Sequence, residues 1–231
     1  MLRYMIVLMI WLQSCQSQSP FVADCMEGNA SRLYPALKEA GWISSHDKVS
    51  CQSAFMRLQS SRGVMLHDIG LSDLRILKGF EASEAISLKK NELSSLNGIE
   101  AFQGLLKLDL SHNKLKALDG VEGLSSLQTL RFFNNQVSSI KPLAKLKQLT
   151  RLSAQYNNIT SLDAIKNLNQ LEYLGLNGNQ INDVTPILSL PNIRHITIAL
   201  NQICDPIQIA KLKRHVPKIV GLDKQNCTKD K

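Results

Sequence analysis

Three groups of side chains in this 231-residue chain have chemistry beyond packing. They are the cysteines Cys15, Cys25, Cys51, Cys204 and Cys227, the histidines His46, His67, His112, His195 and His215, and an asparagine that returns every 22 residues at Asn91, Asn113, Asn135, Asn157, Asn179 and Asn201. The histidines are dispersed, and no nucleophile motif, metal-ligand cluster, phosphate loop or pair of catalytic carboxylates accompanies them. A non-enzymatic chain without cofactor or metal is therefore expected. An asparagine amide carries two donors and an acceptor, so a column of them can hold a polar ligand or pair with backbone groups. Which of the two it does depends on whether the column faces outward or inward.

The residues around each asparagine decide that question. Apolar residues stand five and three positions before it and two after it, as in Leu108, Leu110, Asn113 and Leu115, with Leu118, Leu124 and Leu127 farther on. A fixed period of this length marks a stacked solenoid. Alternation over Leu108-Asp109-Leu110 predicts a short strand with its leucines inward, and the three-residue leucine spacing that follows predicts 3₁₀ or irregular turns on the opposite side. Each coil must bend sharply after its strand, leaving backbone N–H and C=O groups in a dry interior. The asparagines are expected to face inward and pair with them. A degenerate first coil runs from Val64, with Ile69 where asparagine should be, as terminal repeats allow. About seven coils over 64–203 follow. Phe132 and Ala154 replace leucine in adjacent coils and conserve interior volume, which assigns them to the core.

Regions at both ends must close this stack. Residues 21–63 show helical spacing, with Leu33, Leu37 and Ala40 before Gly41 and then Val49, Phe55, Met56 and Leu58, and read as an N-terminal cap; His46 and Asp47 in it have no clear partners. Residues 204–231 begin with Cys204-Asp205-Pro206, where Asp205 can cap a helix and Pro206 take its first position. Ile207, Ala210 and Leu212 offer that helix an apolar surface, and Lys211, Lys213, Arg214 and His215 gather at its end.

Arg3 followed by the apolar run from Tyr4 to Leu12 predicts a signal peptide over residues 1–14, too short to span a bilayer, which needs roughly 20 apolar residues. Leu12-Gln13-Ser14-Cys15 resembles a bacterial lipobox, which implies a lipid on Cys15 and a polar tether over 15–20. Four cysteines then remain, enough for two disulfides in an exported chain. A disulfide needs Cα atoms within about 7 Å, so a rigid solenoid between the pairs leaves Cys25 with Cys51 and Cys204 with Cys227. The formal charge of +8 is scattered over nearly every repeat without a nucleic-acid motif, and no nucleic-acid partner is expected.

The pattern L-x-L-x-x-N-x-[LIV]-x-x-[LIV] over 64–203 resembles that of leucine-rich repeat proteins, and Asn179-Gln180-Ile181-Asn182-Asp183-Val184-Thr185-Pro186-Ile187 is similar to the 22-residue repeats of bacterial internalins. The phosphatase-regulating repeats are also similar, but they are intracellular, which the signal peptide disfavours. The resemblance implies an α/β solenoid, a horseshoe with short parallel strands on its concave side, and a concave face that binds another protein. The chain shows no immunoglobulin-like region or wall-sorting signal, so host-cell invasion is not implied. It is expected at the outer membrane or cell surface, or facing the periplasm, as a monomer held to a membrane by lipid. The competing reading is an envelope-structural lipoprotein without a specific ligand.

Strand positions that point outward align between coils at the 22-residue period. Lys107, Arg131, Phe133, Arg151, Gln155, Tyr156, Tyr173, Asn177 and His195 form the expected binding surface. Arg131, Phe133, Arg151, Tyr156 and Tyr173 converge on the middle coils, and aromatic and arginine groups are what interfaces concentrate at their centres. An acidic or aromatic-rich partner is expected there.

Overall fold

The alternation that sends Leu108 inward and leaves Lys107 and Asp109 outward yields a three-residue strand in every coil of the computed structural model. The structure describes residues 20–27, 38 and 48–227. Among them are eight parallel strands in one sheet, in sequence order: β1 (Gly63–Met65), β2 (Ala85–Ser87), β3 (Lys107–Asp109), β4 (Thr129–Arg131), β5 (Arg151–Ser153), β6 (Tyr173–Gly175), β7 (His195–Thr197) and β8 (Lys218–Val220). From β1 to β7 each residue pairs with the one 22 positions on, as Leu108 does with Leu130. The last step is longer, since His195 pairs with Lys218. Strand β8 lies in the stretch read from sequence as a capping helix. It follows that helix, and it escapes the repeat pattern because the register has slipped and no asparagine accompanies it.

Six 3₁₀ segments close the coils on the far side: Arg75–Leu77, Ile99–Ala101, Val121–Gly123, Lys141–Lys145, Asp163–Ile165 and Thr185–Ser189. Their inward residues, such as Val121 and Ile165, join Leu118, Leu124 and Leu127 in a core that runs the length of the solenoid. Phe132 and Ala154 are both fully buried there. The architecture is a leucine-rich repeat horseshoe, strands on one side and tight turns on the other.

The asparagine column faces inward and works as a ladder. In Asn157 the Oδ1 accepts from the Val137 N–H of the preceding coil at 2.9 Å, while Nδ2 donates to the carbonyls of Phe132 at 3.0 Å and Ala154 at 3.2 Å. The same scheme recurs from Asn91 to Asn201. Ile69, at the asparagine position of the first coil, contributes its N–H to Asn91 Oδ1. Each coil prepares this inward turn with one residue in the left-handed region immediately before the column. Asp68, Lys90, His112, Asn134, Tyr156 and Leu200 have φ between 54° and 58°, and Gly178 has 67°. Only the glycine adopts that conformation without steric cost.

At the N-terminal end, α1 (Pro20–Glu27) and α2 (Lys48–Ser60) cover the first coil. Phe21 and Phe55 meet Phe80 of that coil, with ring centroids 5.7 and 5.0 Å away, so the cap and the solenoid share one core. A disulfide joins Cys25 to Cys51. Met56, grouped with the apolar face by sequence spacing, is 47 % exposed, because Phe55 and Leu58 already occupy the buried side. The signal peptide, Cys15, Leu33, Leu37, Ala40, Gly41, His46 and Asp47 lie outside the described residues. At the other end Asp205 caps α3 (Pro206–His215) by accepting from the Ile207 N–H at 2.8 Å. Leu212 and Val216 are buried and Ile209 packs against them, whereas Ile207 and Ala210 are exposed. The inward stripe is thus Ile209, Leu212 and Val216, the three- and four-residue spacing of one helical face. A second disulfide joins Cys204 to Cys227.

Candidate functional site

Short strands stacked in register carry their outward side chains in straight columns, about 4.8 Å from one coil to the next. One column runs Lys107, Thr129, Arg151, Tyr173, His195 and Lys218; a second runs Met65, Ser87, Asp109, Arg131, Ser153, Gly175 and Thr197. A third follows the strands through His67, Lys89, Ser111, Phe133, Gln155 and Asn177. The sheet therefore displays a grid in which a residue's neighbours are known from its number.

Two aromatic groupings stand on this grid. In the first, the Arg151 guanidinium lies 4.8 Å from the centre of the Tyr173 ring, and His195 meets the other side of that ring edge-on at 5.2 Å. In the second, Phe133 is flanked edge-on by His112 at 4.9 Å and approached by the Lys89 ammonium at 6.0 Å. Cation over ring contacts at exposed sites are worth about 0.5 to 1 kcal/mol, so they favour these placements of the Arg151 and Lys89 side chains. Phe133 is half-buried rather than a bare ring, and Tyr156 at 52 % is the more exposed aromatic.

The polar residues of this surface divide by how they are held. Asn177 Oδ1 accepts from the Ala199 N–H at 2.8 Å, which commits that oxygen to backbone pairing. The Gln155 side chain fills the space above Gly175, where a Cβ would collide with it. Its Oε1 is buried and without a hydrogen-bond partner among the described residues, as are His195 Nε2 and Thr197 Oγ1. Burial, with Lys218 and Arg151 nearby, lowers the pKa of His195; burial, with Lys89 and Lys90, lowers that of His112. Both imidazoles are therefore biased towards the neutral form.

Lys107, Arg131 and Arg151 also border a trough of about 550 Å³ over β1 to β5. Met65, His67, Lys89 and Asp109 also line that trough; the outward columns read from sequence include Lys89 and Asp109, though not among the expected binding residues, and do not reach Met65 or His67. Asp109 accepts from the Ser111 N–H at 3.0 Å and sits 3.9 Å from the Arg131 guanidinium. Met65 and His67 occupy the same columns as Asp109 and Lys89, so extending those columns to the first coil finds them. Among the described residues no group of three or more His, Cys, Asp and Glu side chains is placed to hold a metal ion.

Residues 103–145, 125–167 and 147–188 match the family model described as Leucine Rich repeats (2 copies). Residues 103–188 are leucine-rich repeats. Its fold resembles an internalin (inlF) from Listeria monocytogenes, with a TM-score of 0.68 at 22 % identity over 76 % of this chain and 51 % of the internalin. Internalin C2 from the same organism superposes with a TM-score of 0.60 at 23 % identity, covering 82 % of this leucine-rich repeat chain and 92 % of its own. A leucine-rich repeat protein from Leptospira interrogans gives 0.66 at 27 % identity over 74 % of this chain and 45 % of that one. The chain thus spans about half the length of the first and third of these structures. No curated protein matches its sequence. A solenoid of this kind is an interaction scaffold, built to present an extended surface.

Proposed function

We propose that this leucine-rich repeat protein is a non-enzymatic, exported protein-binding module of a bacterial envelope. It holds its ligand on the concave face, works as a monomer, and is tethered to a membrane through lipid on Cys15. The observation that carries the reading is the pair of aromatic groupings, Arg151–Tyr173–His195 and Lys89–Phe133–His112, set on a rigid sheet. Aromatic and arginine side chains favoured in one placement lose less entropy on binding, and such residues dominate interface energetics.

Two disulfides support an oxidising compartment and weigh against the intracellular, phosphatase-regulating alternative. No helix among the described residues is long and apolar enough to cross a membrane. The surface used is Lys107, Arg131, Phe133, Arg151, Gln155, Tyr156, Tyr173, Asn177 and His195. Crosslinking in intact cells, with the wild type and a Phe133→Ala, Arg151→Ala, Tyr173→Ala triple variant, tests the reading. One dominant crosslinked partner that disappears in the folded triple variant is expected; a crosslinking pattern unchanged by the three substitutions would overturn it and favour an envelope-structural role. Mass spectrometry of the protein from its native membrane fraction tests the lipid on Cys15.

A further inference from the structure

The trough over β1 to β5 differs chemically from the aromatic groupings beside it. Cations line it on several coils: Lys89, Lys107, Arg131 and Arg151, with His67 at one end. Asp109 is the one carboxylate in its lining, and it is already engaged by the Ser111 N–H and faces Arg131. Lys107, Arg131 and Arg151 are exposed, so their charge is available to a ligand. The end nearest the N-terminal cap combines His67, bonded to Ser87, with an apolar side chain. Met65 is 71 % exposed there, the highest value among the large apolar side chains of the described residues.

From this charge pattern we infer that the trough binds an extended, acidic polypeptide segment that carries an apolar residue at the end lying on Met65. The inference rests on the protein-binding reading above and specifies the partner's chemistry. Lys107 and Arg151 occupy one column two strands apart, roughly 10 Å, with Arg131 between them in the adjacent column. Carboxylates two or three residues apart on an extended chain, about 7 to 10 Å, match that spacing. Four steps from β1 to β5 span on the order of 19 Å, which about six extended residues cover. No Phe, Tyr or Trp lines the trough. Bases and many sugars are held by stacking on such rings, so the lining favours a polypeptide over a nucleic acid. A peptide also supplies the apolar group that Met65 would cover, which a uniform polyanion does not.

Fluorescence anisotropy with labelled peptides of about eight residues, long enough to cross the trough, tests the inference. The probes are alternating Glu–Leu, alternating Lys–Leu and alternating Glu–Ser, with heparin and a single-stranded DNA oligonucleotide as competitors. The disulfide-bonded wild type is compared with Lys107→Glu/Arg131→Glu and with Met65→Ser, all at exposed positions, after circular dichroism has verified folding. Expected is at least about tenfold tighter binding of Glu–Leu than of Lys–Leu, declining with salt, and a reversed preference in the double-Glu variant. Met65→Ser should weaken Glu–Leu several-fold and leave Glu–Ser unchanged.

An unaltered preference in Lys107→Glu/Arg131→Glu would overturn the assignment, as would no binding of Glu–Leu at about 1 mM. Heparin or DNA that binds more tightly than the peptide, and is displaced by the same charge reversals, would reassign the trough to a polyanion. Crosslinking separates this failure from failure of the broader reading. A dominant partner lost in the Phe133, Arg151, Tyr173 variant but retained in Lys107→Glu/Arg131→Glu leaves concave-face binding standing and removes only the acidic segment.

Discussion

Replacing one rung of the asparagine ladder should cost different amounts at different heights, and the hydrogen bonds give the order. Each interior carbonyl is shared by two asparagines. Phe132 O accepts from Asn135 and Asn157, and Ala154 O from Asn157 and Asn179. Asn157→Ala therefore leaves both carbonyls with one partner and orphans only the Val137 N–H. A single buried, unsatisfied amide costs about 1 to 3 kcal/mol. Asn91 begins the column, so nothing shares its outer duties. Its Oδ1 accepts from both Ile69 N–H and Leu71 N–H at 3.1 Å, and its Nδ2 donates to Leu66 O at 2.7 Å. Asn91→Ala orphans all three, and their residues are buried. Water reaching the end coil will satisfy part of that loss, so about 3 to 5 kcal/mol is expected. Urea unfolding with linear extrapolation gives the totals, and hydrogen exchange at the Val137 amide reports the interior rung directly. Equal losses at the two positions, or a larger one at Asn157, would refute the shared-carbonyl account.

Leu200 holds φ at 57° with a side chain 44 % exposed, so Leu200→Asn should stabilise the fold by about 0.5 to 1 kcal/mol and raise the melting temperature, because asparagine tolerates the left-handed region that leucine resists. His112 and His195 have pKa values lowered from 6.5 mainly by burial, so the unfolded chain takes up protons before the folded one as pH falls. Their contribution to stability is present above 6.5 and is lost as pH falls from there through the depressed folded values. A His112→Gln/His195→Gln variant should show a shallower fall in melting temperature between pH 7.5 and 5 than the wild type.

The period made most of this fold readable. Leucine and asparagine recur because each coil faces the same problem: an interior to fill and a bend whose backbone groups must be paired. Features set by the ends were less legible. Strand β8 arises from the last coil needing a neighbour, and Lys218-Ile219-Val220 satisfies that need without the repeat's asparagine. Met56 and Ile207 were misplaced because spacing identifies that a helix has a buried face, while the neighbour it packs on decides which one. The trough was hidden for a related reason. Column membership follows from number, but Met65, Ser87 and Lys89 gain meaning only when β1 and β2 are seen to share a lining with β3 to β5.

The left-handed residue in each coil links the two faces of the protein. Because it turns the next residue inward, the asparagine can reach the previous coil's backbone; because it is itself left outside, its own side chain stands at the rim of the concave face. That rim position holds Asp, Lys, His, Asn, Tyr, Gly and Leu in successive coils, with no shared chemistry. Only glycine, and to a lesser degree asparagine and aspartate, suits the backbone there. A column selected for stability alone would converge on those three, as the interior converges on asparagine. Lys90, His112, Tyr156 and Leu200 each hold a conformation that costs their residue type about 1 to 2 kcal/mol. Two of them have contacts with neighbouring coils: His112 packs against Phe133 and bonds Asn134, and the Tyr156 ring covers Gly178. Side chains kept at a conformational cost beside a grid of cations and rings are what a surface used for recognition would retain.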